Sequence, residues 1–267
     1  MPQKDTTLEA LSPLAQMSRS LELFNSAMAL EQSGNYNDAF QLLEQCDQSL
    51  TTQPADQALN KPVKLALWRL HPQWWATLQH GGLSLRRCQA SDADFFKKTY
   101  ADRQFSQQFN RQQPWFGPLD QALQQAGQLP PLQTGSVIWV VESATSGAIG
   151  LASLSSLDTQ NRRVELSVGL PGAVTPTLGI KATVMILHFA MWMMPFNKVY
   201  CYIYEDNQPA LQNALRLGFL HEGTSQDHFF IDGQGFVTVN QLGLTRQQAQ
   251  SNAKLKTLAK RMIGRAW

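Results

Sequence analysis

Asn207-Gln208-Pro209-Ala210-Leu211-Gln212-Asn213-Ala214-Leu215-Arg216-Leu217-Gly218-Phe219-Leu220-His221-Glu222-Gly223 is the stretch that decides the fold. Asn207 is a good N-cap, because its side-chain oxygen can accept from a first-turn amide. Pro209 suits a first turn, and Gly218 can enter the left-handed conformation that closes a helix. Between them Ala210, Leu211, Ala214, Leu215 and Leu217 form a short apolar face, and Phe219 opens a strand. Capping alone would place Asn, Pro and Gly here in any fold, so the rest of the chain has to agree.

Working outward, the most apolar run is Ala182 to Phe196. It is shorter than the roughly 20 residues that span a bilayer and contains His188, so it predicts a buried helix and no membrane association. The 267 residues are 43% hydrophobic and 16% charged, enough to bury a substantial core. A net charge of +2 gives no clustered cation surface for nucleic acid. The one basic concentration is Lys254, Lys256, Lys260, Arg261 and Arg265, which reads as a solvated helix face or a docking surface. Cys46, Cys88 and Cys201 lack the spacing of a disulfide framework or a zinc site, so no metal is expected. No apolar stretch behind Met1 to Asp5 could act as a signal peptide, and the expected setting is cytoplasmic.

Residues 8 to 50 carry two helical stripes, Leu21, Phe24, Ala27, Met28 and Leu30, then Phe40, Leu42, Leu43 and Cys46, meeting at Ser33-Gly34-Asn35-Tyr36. Gly-Asn-Tyr followed by Ala39, Leu43 and Cys46 looks like the middle of a tetratricopeptide (TPR) repeat, although a generic helical hairpin fits as well. A single such hairpin would pack on the rest of the chain or on a protein partner. Thr51 to Lys61 reads as a connector, and a third helix is predicted over Pro62 to Leu78. After His80-Gly81-Gly82 the pattern becomes mixed α/β. Strands are predicted at Leu83 to Arg86, Val137 to Val141, Ala148 to Ala152, Arg163 to Leu170, Lys198 to Tyr204, Phe229 to Ile231 and Phe236 to Val239, with a helix from Phe95 and a Gln-rich, Pro-punctuated region over 102 to 134.

That order, with Leu85-Arg86-Arg87 and the following Asp92, Ile149-Gly150, Glu165 and the Asn207 to Gly223 stretch, resembles the GNAT (Gcn5-related N-acetyltransferase) family over about Leu83 to Leu244. Within it the chain looks like the branch of ribosomal-protein N-terminal acetyltransferases. The resemblance implies an α/β (α+β) fold, a mixed, mostly antiparallel sheet flanked by helices and preceded by an α-helical hairpin region. The expected division is a helical extension over 1–80, a GNAT domain over 81–246 and a C-terminal helix over 247–267.

The same resemblance implies transfer of an acetyl or short acyl group from acetyl-CoA to a primary amine by direct attack. It places the acyl arm on Val168 to Leu170, the pyrophosphate on Thr175, Thr177, Gly179, Ile180 and Lys181, and the arm or departing thiol on Asn207, since helix N-termini attract anions. The phosphate loop departs from the family pattern. Val174 and Thr177 stand where Arg or Gln and Gly are usual, and Pro176 removes an amide donor. A base is needed because an ammonium near its reference pKa of about 10 is no nucleophile. Glu165 is the candidate, sharing a strand face with Ser167 and Gly169; a solvent-facing residue or a salt bridge to Arg163 would explain it too. Ala214 stands where many relatives carry a thiolate-protonating Tyr, and Ala210 where some carry Ser. Tyr200, Tyr202 and Tyr204 share one strand face, as proton donors or as a packed ladder. Trp115 and Phe116 are the candidates for lining the acceptor pocket. The acceptor is expected to be a small molecule or a protein N-terminus, with a protein partner for the N-terminal helices and a homodimer as further possibilities. Two rival readings remain: a non-catalytic GNAT-like binding module acting through protein partners, and an acyltransferase that takes its acyl group from a carrier protein docked on the basic C-terminal helix.

Overall fold

The computed structural model describes residues 13–51, 54–111, 117–172, 176–265 and 267. The chain divides into two compact units, residues 1–72 and 73–267.

The first unit holds three helices, α1 (Pro13–Gln32), α2 (Tyr36–Ser49) and α3 (Pro54–Arg69). Gly34 makes the α1–α2 turn at φ +80, a left-handed conformation that costs a residue without Cβ little. Ala27, Ala39, Leu43, Ala66 and Leu70 form its core, and the small residues let the helices approach. Arg69 donates both Nε and an Nη to Glu31 at 2.6 Å, a bidentate pair that ties α3 to α1. The third helix starts eight residues earlier than its sequence predicts and ends at Arg69 rather than Leu78. Pro54 opens it and Pro62 sits inside it, so the polar 54–61 stretch is a helix rather than a connector.

The second unit is built on one sheet. A 3-10 turn (Pro72–Trp75) crosses the boundary between the units, and then come β1 (Leu78–His80), β2 (Leu83–Arg87), a further 3-10 turn (Ala90–Asp92), α4 (Ala93–Ala101), α5 (Arg103–Phe109), α6 (Leu119–Gln128) and α7 (Pro131–Thr134). Next are β3 (Ser136–Ser143), β4 (Gly147–Asp158), β5 (Arg163–Gly169), α8 (Pro176–His188) with a π turn (Phe189–Met193), β6 (Lys198–Tyr204) and α9 (Gln208–Arg216). The unit closes with β7 (Leu220–Ile231), β8 (Gly235–Thr245), α10 (Arg246–Ser251) and α11 (Ala253–Ile263). The eight strands lie in the order β1-β2-β3-β4-β5-β6-β8-β7, all antiparallel except β5 and β6.

Three departures from the sequence reading have local causes. The Gln-rich 102–134 region contains α5, α6 and α7, because Phe105, Leu123 and Ala126 supply buried anchors among the glutamines. The region read as a strand after Phe219 and a separate one at Phe229 to Ile231 is the single strand β7, which register shifts and the left-handed Asp227 (φ 48) disguise. The basic C-terminal helix is two helices, broken at Asn252, whose side chain accepts from Leu255 N at 3.0 Å. Asp92 pairs twice with Arg86 at 2.8 Å, and buried Arg87 donates to the carbonyls of Trp74, Ala126 and Leu129, which gives the Leu-Arg-Arg motif a structural role. The apolar helix runs from α8 into the π turn, with Ala182, Val184, Ile186, Leu187, Phe189 and Met191 all buried. No helix among the described residues is long and apolar enough to cross a membrane.

Candidate active site

β5 and β6 pair in parallel only at Arg163–Lys198, Val164–Val199 and Glu165–Tyr200. Beyond those rungs β5 continues to Gly169 and β6 to Tyr204 without pairing each other, so the facing edges carry strand amides and carbonyls with no partner across the gap. The gap is a slit of about 300 Å³. Its walls are Leu166, Ser167 and Val168 of β5 and Cys201, Tyr202 and Ile203 of β6. Leu170, Gly179, Ile180 and Thr183 line one end, while Gln108 and Phe109 of α5 and Ala210 of α9 also bound it.

Glycines let these parts meet. A Cβ on Gly150 would lie 2.5 Å from the Gly169 carbonyl oxygen, and one on Gly169 would lie 2.5 Å from the ring of Phe109 and 2.8 Å from that of Phe105. The two rings stack with centroids 4.9 Å apart, setting α5 against β5. Asn207 fastens α5 to α9: its carboxamide oxygen accepts from Ala210 N and its Nδ2 donates to the Gln108 carbonyl, both at 3.2 Å.

A second cavity of about 390 Å³ shares Phe109, Ser167 and Tyr202 with the slit. Period-two alternation puts Glu165 and Ser167 on this side of β5 while Val164 is buried. Phe96, Tyr100, Tyr204 and Phe229 supply aromatic walls, and among the described residues Glu165 is the one carboxylate in the lining. Burial pushes the Glu165 carboxyl above the usual carboxylate range, partly offset by the Ser156 hydroxyl, which donates to it at 3.2 Å. Ser156 adopts a left-handed φ of 51 inside the register shift between Ser155 and Asp158. That bulge brings the hydroxyl to the carboxylate. Tyr204 is raised by burial too, against the Arg111 amide that donates to its oxygen at 3.1 Å. The Arg111 guanidinium lies 4.1 Å from the Tyr204 ring centroid and pairs with Asp206.

The structure therefore brings Val168, Leu170, Gly179, Ile180 and Asn207 to the slit and Glu165 to the adjoining cavity. Thr177 lines a different cavity, beside Arg216 and Arg261. Lys181 lines neither cavity, and its Nζ donates to the Gly81 carbonyl at 2.9 Å, where the β1–β2 turn passes α8. Thr175, Trp115 and Phe116 lie outside the described residues. His188 stacks on Trp192 and Trp267 at centroid distances of 5.9 and 6.5 Å, and His228 lies tilted against Tyr202 at 4.7 Å. Sequence reasoning missed Gln108 and Phe109, Ser156 and Arg111. The aromatic spacing Phe96, Tyr100, Phe105, Phe109 was the available signal for the first pair; the others depend on a bulge and an ion pair spanning 95 positions. Among the described residues no group of three or more His, Cys, Asp or Glu is placed to hold a metal.

Two parallel strands that part after three rungs, with a slit between them and a cavity bearing a carboxylate beside it, set a groove for an extended ligand against a candidate base. Residues 83–220, more than half of the chain, match the family model described as an acetyltransferase (GNAT) domain. The chain belongs to the GNAT family and is a GNAT-type N-acetyltransferase. Similar solved structures include spermidine N-acetyltransferase from Vibrio cholerae in complex with CoA and spermine, at TM-score 0.54 and 18% identity, covering 63% of this chain and 98% of that one. A GCN5-related N-acetyltransferase from Brucella melitensis is similar at TM-score 0.56 and 14% identity, over 70% of this chain and 85% of that one. At these identities the likeness is one of fold. No curated protein sequence matches the chain.

Proposed function

We propose that the protein transfers an acetyl group from acetyl-CoA to a primary amine whose body packs on aromatic rings and meets serine hydroxyls. The observation that carries this reading is the junction of the two cavities at Ser167, Tyr202 and Phe109. The slit, with unpaired strand edges, suits an extended acyl arm bearing amides, and the donor contacts fall to Val168, Leu170, Gly179, Ile180 and Asn207, with Thr175 and Thr177 toward the phosphates. The adjoining cavity holds the acceptor. Glu165, directly or through one water, removes a proton from the ammonium; the neutral nitrogen attacks the thioester carbonyl and the C–N bond forms; the tetrahedral adduct gives its excess nitrogen proton to water as it collapses, the C–S bond breaks, and solvent protonates the departing thiolate.

Acceptor chemistry follows from the lining. Among the described residues the lining sets one carboxylate among aromatic rings and the hydroxyls of Ser136, Ser153, Ser155, Ser156 and Ser167, which suits one ammonium on a body that packs on rings and hydrogen-bonds to hydroxyls. We assign a protein partner to the N-terminal helices by their TPR-like turn, and keep likeness to the ribosomal-protein branch, with a protein N-terminus as acceptor, as the finer form of this reading. The test is thiol release from acetyl-CoA with a panel of aryl-alkyl monoamines, N-terminal peptides and spermidine. Glu165→Gln is expected to lower kcat/KM roughly 10²- to 10³-fold with any accepted amine. Wild-type turnover that survives the substitution would remove Glu165 from the mechanism.

A further inference from the structure

Beyond the slit lies a cavity of about 560 Å³ toward the C-terminus. It shares Ile180, Asn213 and Leu217 with the slit and is therefore its continuation. Ile180 and Leu217, with Leu258 and Met262 of α11, give it an apolar lining, and Arg216, the last residue of α9, and Arg261 of α11 add two guanidinium groups. Among the described residues no carboxylate lines it.

Both arginines are exposed, and among the described residues neither forms an ion pair or a side-chain hydrogen bond. Arg69, Arg86, Arg111 and Arg163 by contrast are each matched to a carboxylate. An apolar pocket bearing two unmatched guanidinium groups suits a flat heteroaromatic base that carries phosphates, because guanidinium pairs with phosphate through two parallel hydrogen bonds. The cavity falls within the ordinary size range of small-molecule sites.

We infer that α11, which lies outside the family-matched residues 83–220, completes the donor site: Arg261 with Arg216 holds the phosphorylated adenosine end of CoA. The inference rests on the acyl-transfer reading and explains how donor binding survives a phosphate loop with Thr177 at a usual glycine position and Pro176 in place of an amide donor. It also gives the basic C-terminal helix an occupant of defined chemistry, a nucleotide rather than an acyl-carrier protein.

Calorimetric titration with CoA tests it on the full chain. Arg216→Ala and Arg261→Ala are each expected to weaken CoA binding roughly tenfold, and Arg261→Lys to recover part of the loss. Lys254→Ala, on the same helix but outside the cavity lining, is expected to leave CoA affinity within twofold of wild type. CoA affinity unchanged in the Arg216→Ala/Arg261→Ala double variant overturns the inference and leaves the acyl-transfer reading standing. So does an equal loss in Lys254→Ala, which would mark a general charge effect, or a double variant impaired only with an acyl-carrier donor. Wild-type protein that binds no CoA overturns both.

Discussion

In the proposed reaction Glu165 is the base, and its burial also bears on stability. Its folded-state pKa lies above the unfolded value of about 4.3, because ionisation inside the aromatic cavity forfeits hydration. The sign follows from linkage. Below the unfolded pKa both states are protonated and no penalty exists; above the folded pKa the folded state alone bears the cost of a buried charge. Glu165→Gln is therefore expected to raise Tm at pH 8 while abolishing most activity, with the Tm gain shrinking as pH falls into the ordinary carboxylate range. Thermal denaturation at several pH values checks this, and a Tm at pH 8 below wild type would show that ionised Glu165 stabilises the fold. In the same terms, the acid limb of kcat/KM should sit above the ordinary carboxylate range, since the base must be ionised to act. Much of this was legible in the sequence: strand alternation alone puts Glu165 and Ser167 on one side. The Ser156 hydroxyl was not, because its direction is set by a register shift with a left-handed residue.

At the scale of elements, the slit exists because β5 and β6 part after three rungs and because two glycines keep their neighbours close. The two glycines should respond differently to a methyl group. At Gly150 the new Cβ meets the backbone carbonyl of Gly169, which can yield only if β4 and β5 separate. Gly150→Ala is expected to cost about 1–3 kcal/mol of stability, read from denaturant unfolding. At Gly169 it meets the rings of Phe105 and Phe109, which can move with α5. Gly169→Ala should therefore change KM for acetyl-CoA more than it changes stability. A Gly150→Ala protein as stable as wild type would mean that the strands yield without cost. The Asn207 to Gly218 helix was readable from its caps, and Asn207 does accept from Ala210 N. Its second bond, to Gln108 of α5, spans 99 positions, and no local pattern encodes it.

For the whole molecule, both cavities of the proposed reaction and the arginine-lined cavity fall within the second unit, residues 73–267, which carries the buried cluster around Phe96, Phe105, Leu123 and Val140. The fragment 73–267 is expected to fold and to bind acetyl-CoA as tightly as the full chain, with far-UV circular dichroism and calorimetry as readouts. A folded fragment with much weaker binding would bring the helical unit into donor binding. The amino-acid sequence by itself determined the α/β class, the GNAT-like order of elements, the helical hairpin and the side of β5 that Glu165 occupies, because periodicity and caps act over a few residues. Tertiary structure alone decided where β5 and β6 separate, how α5 bounds the slit, why Lys181 turns to Gly81, and that α11 brings Arg261 beside Arg216. Those outcomes depend on pairings between residues tens of positions apart, where packing and hydrogen-bond satisfaction across the whole unit override local preference.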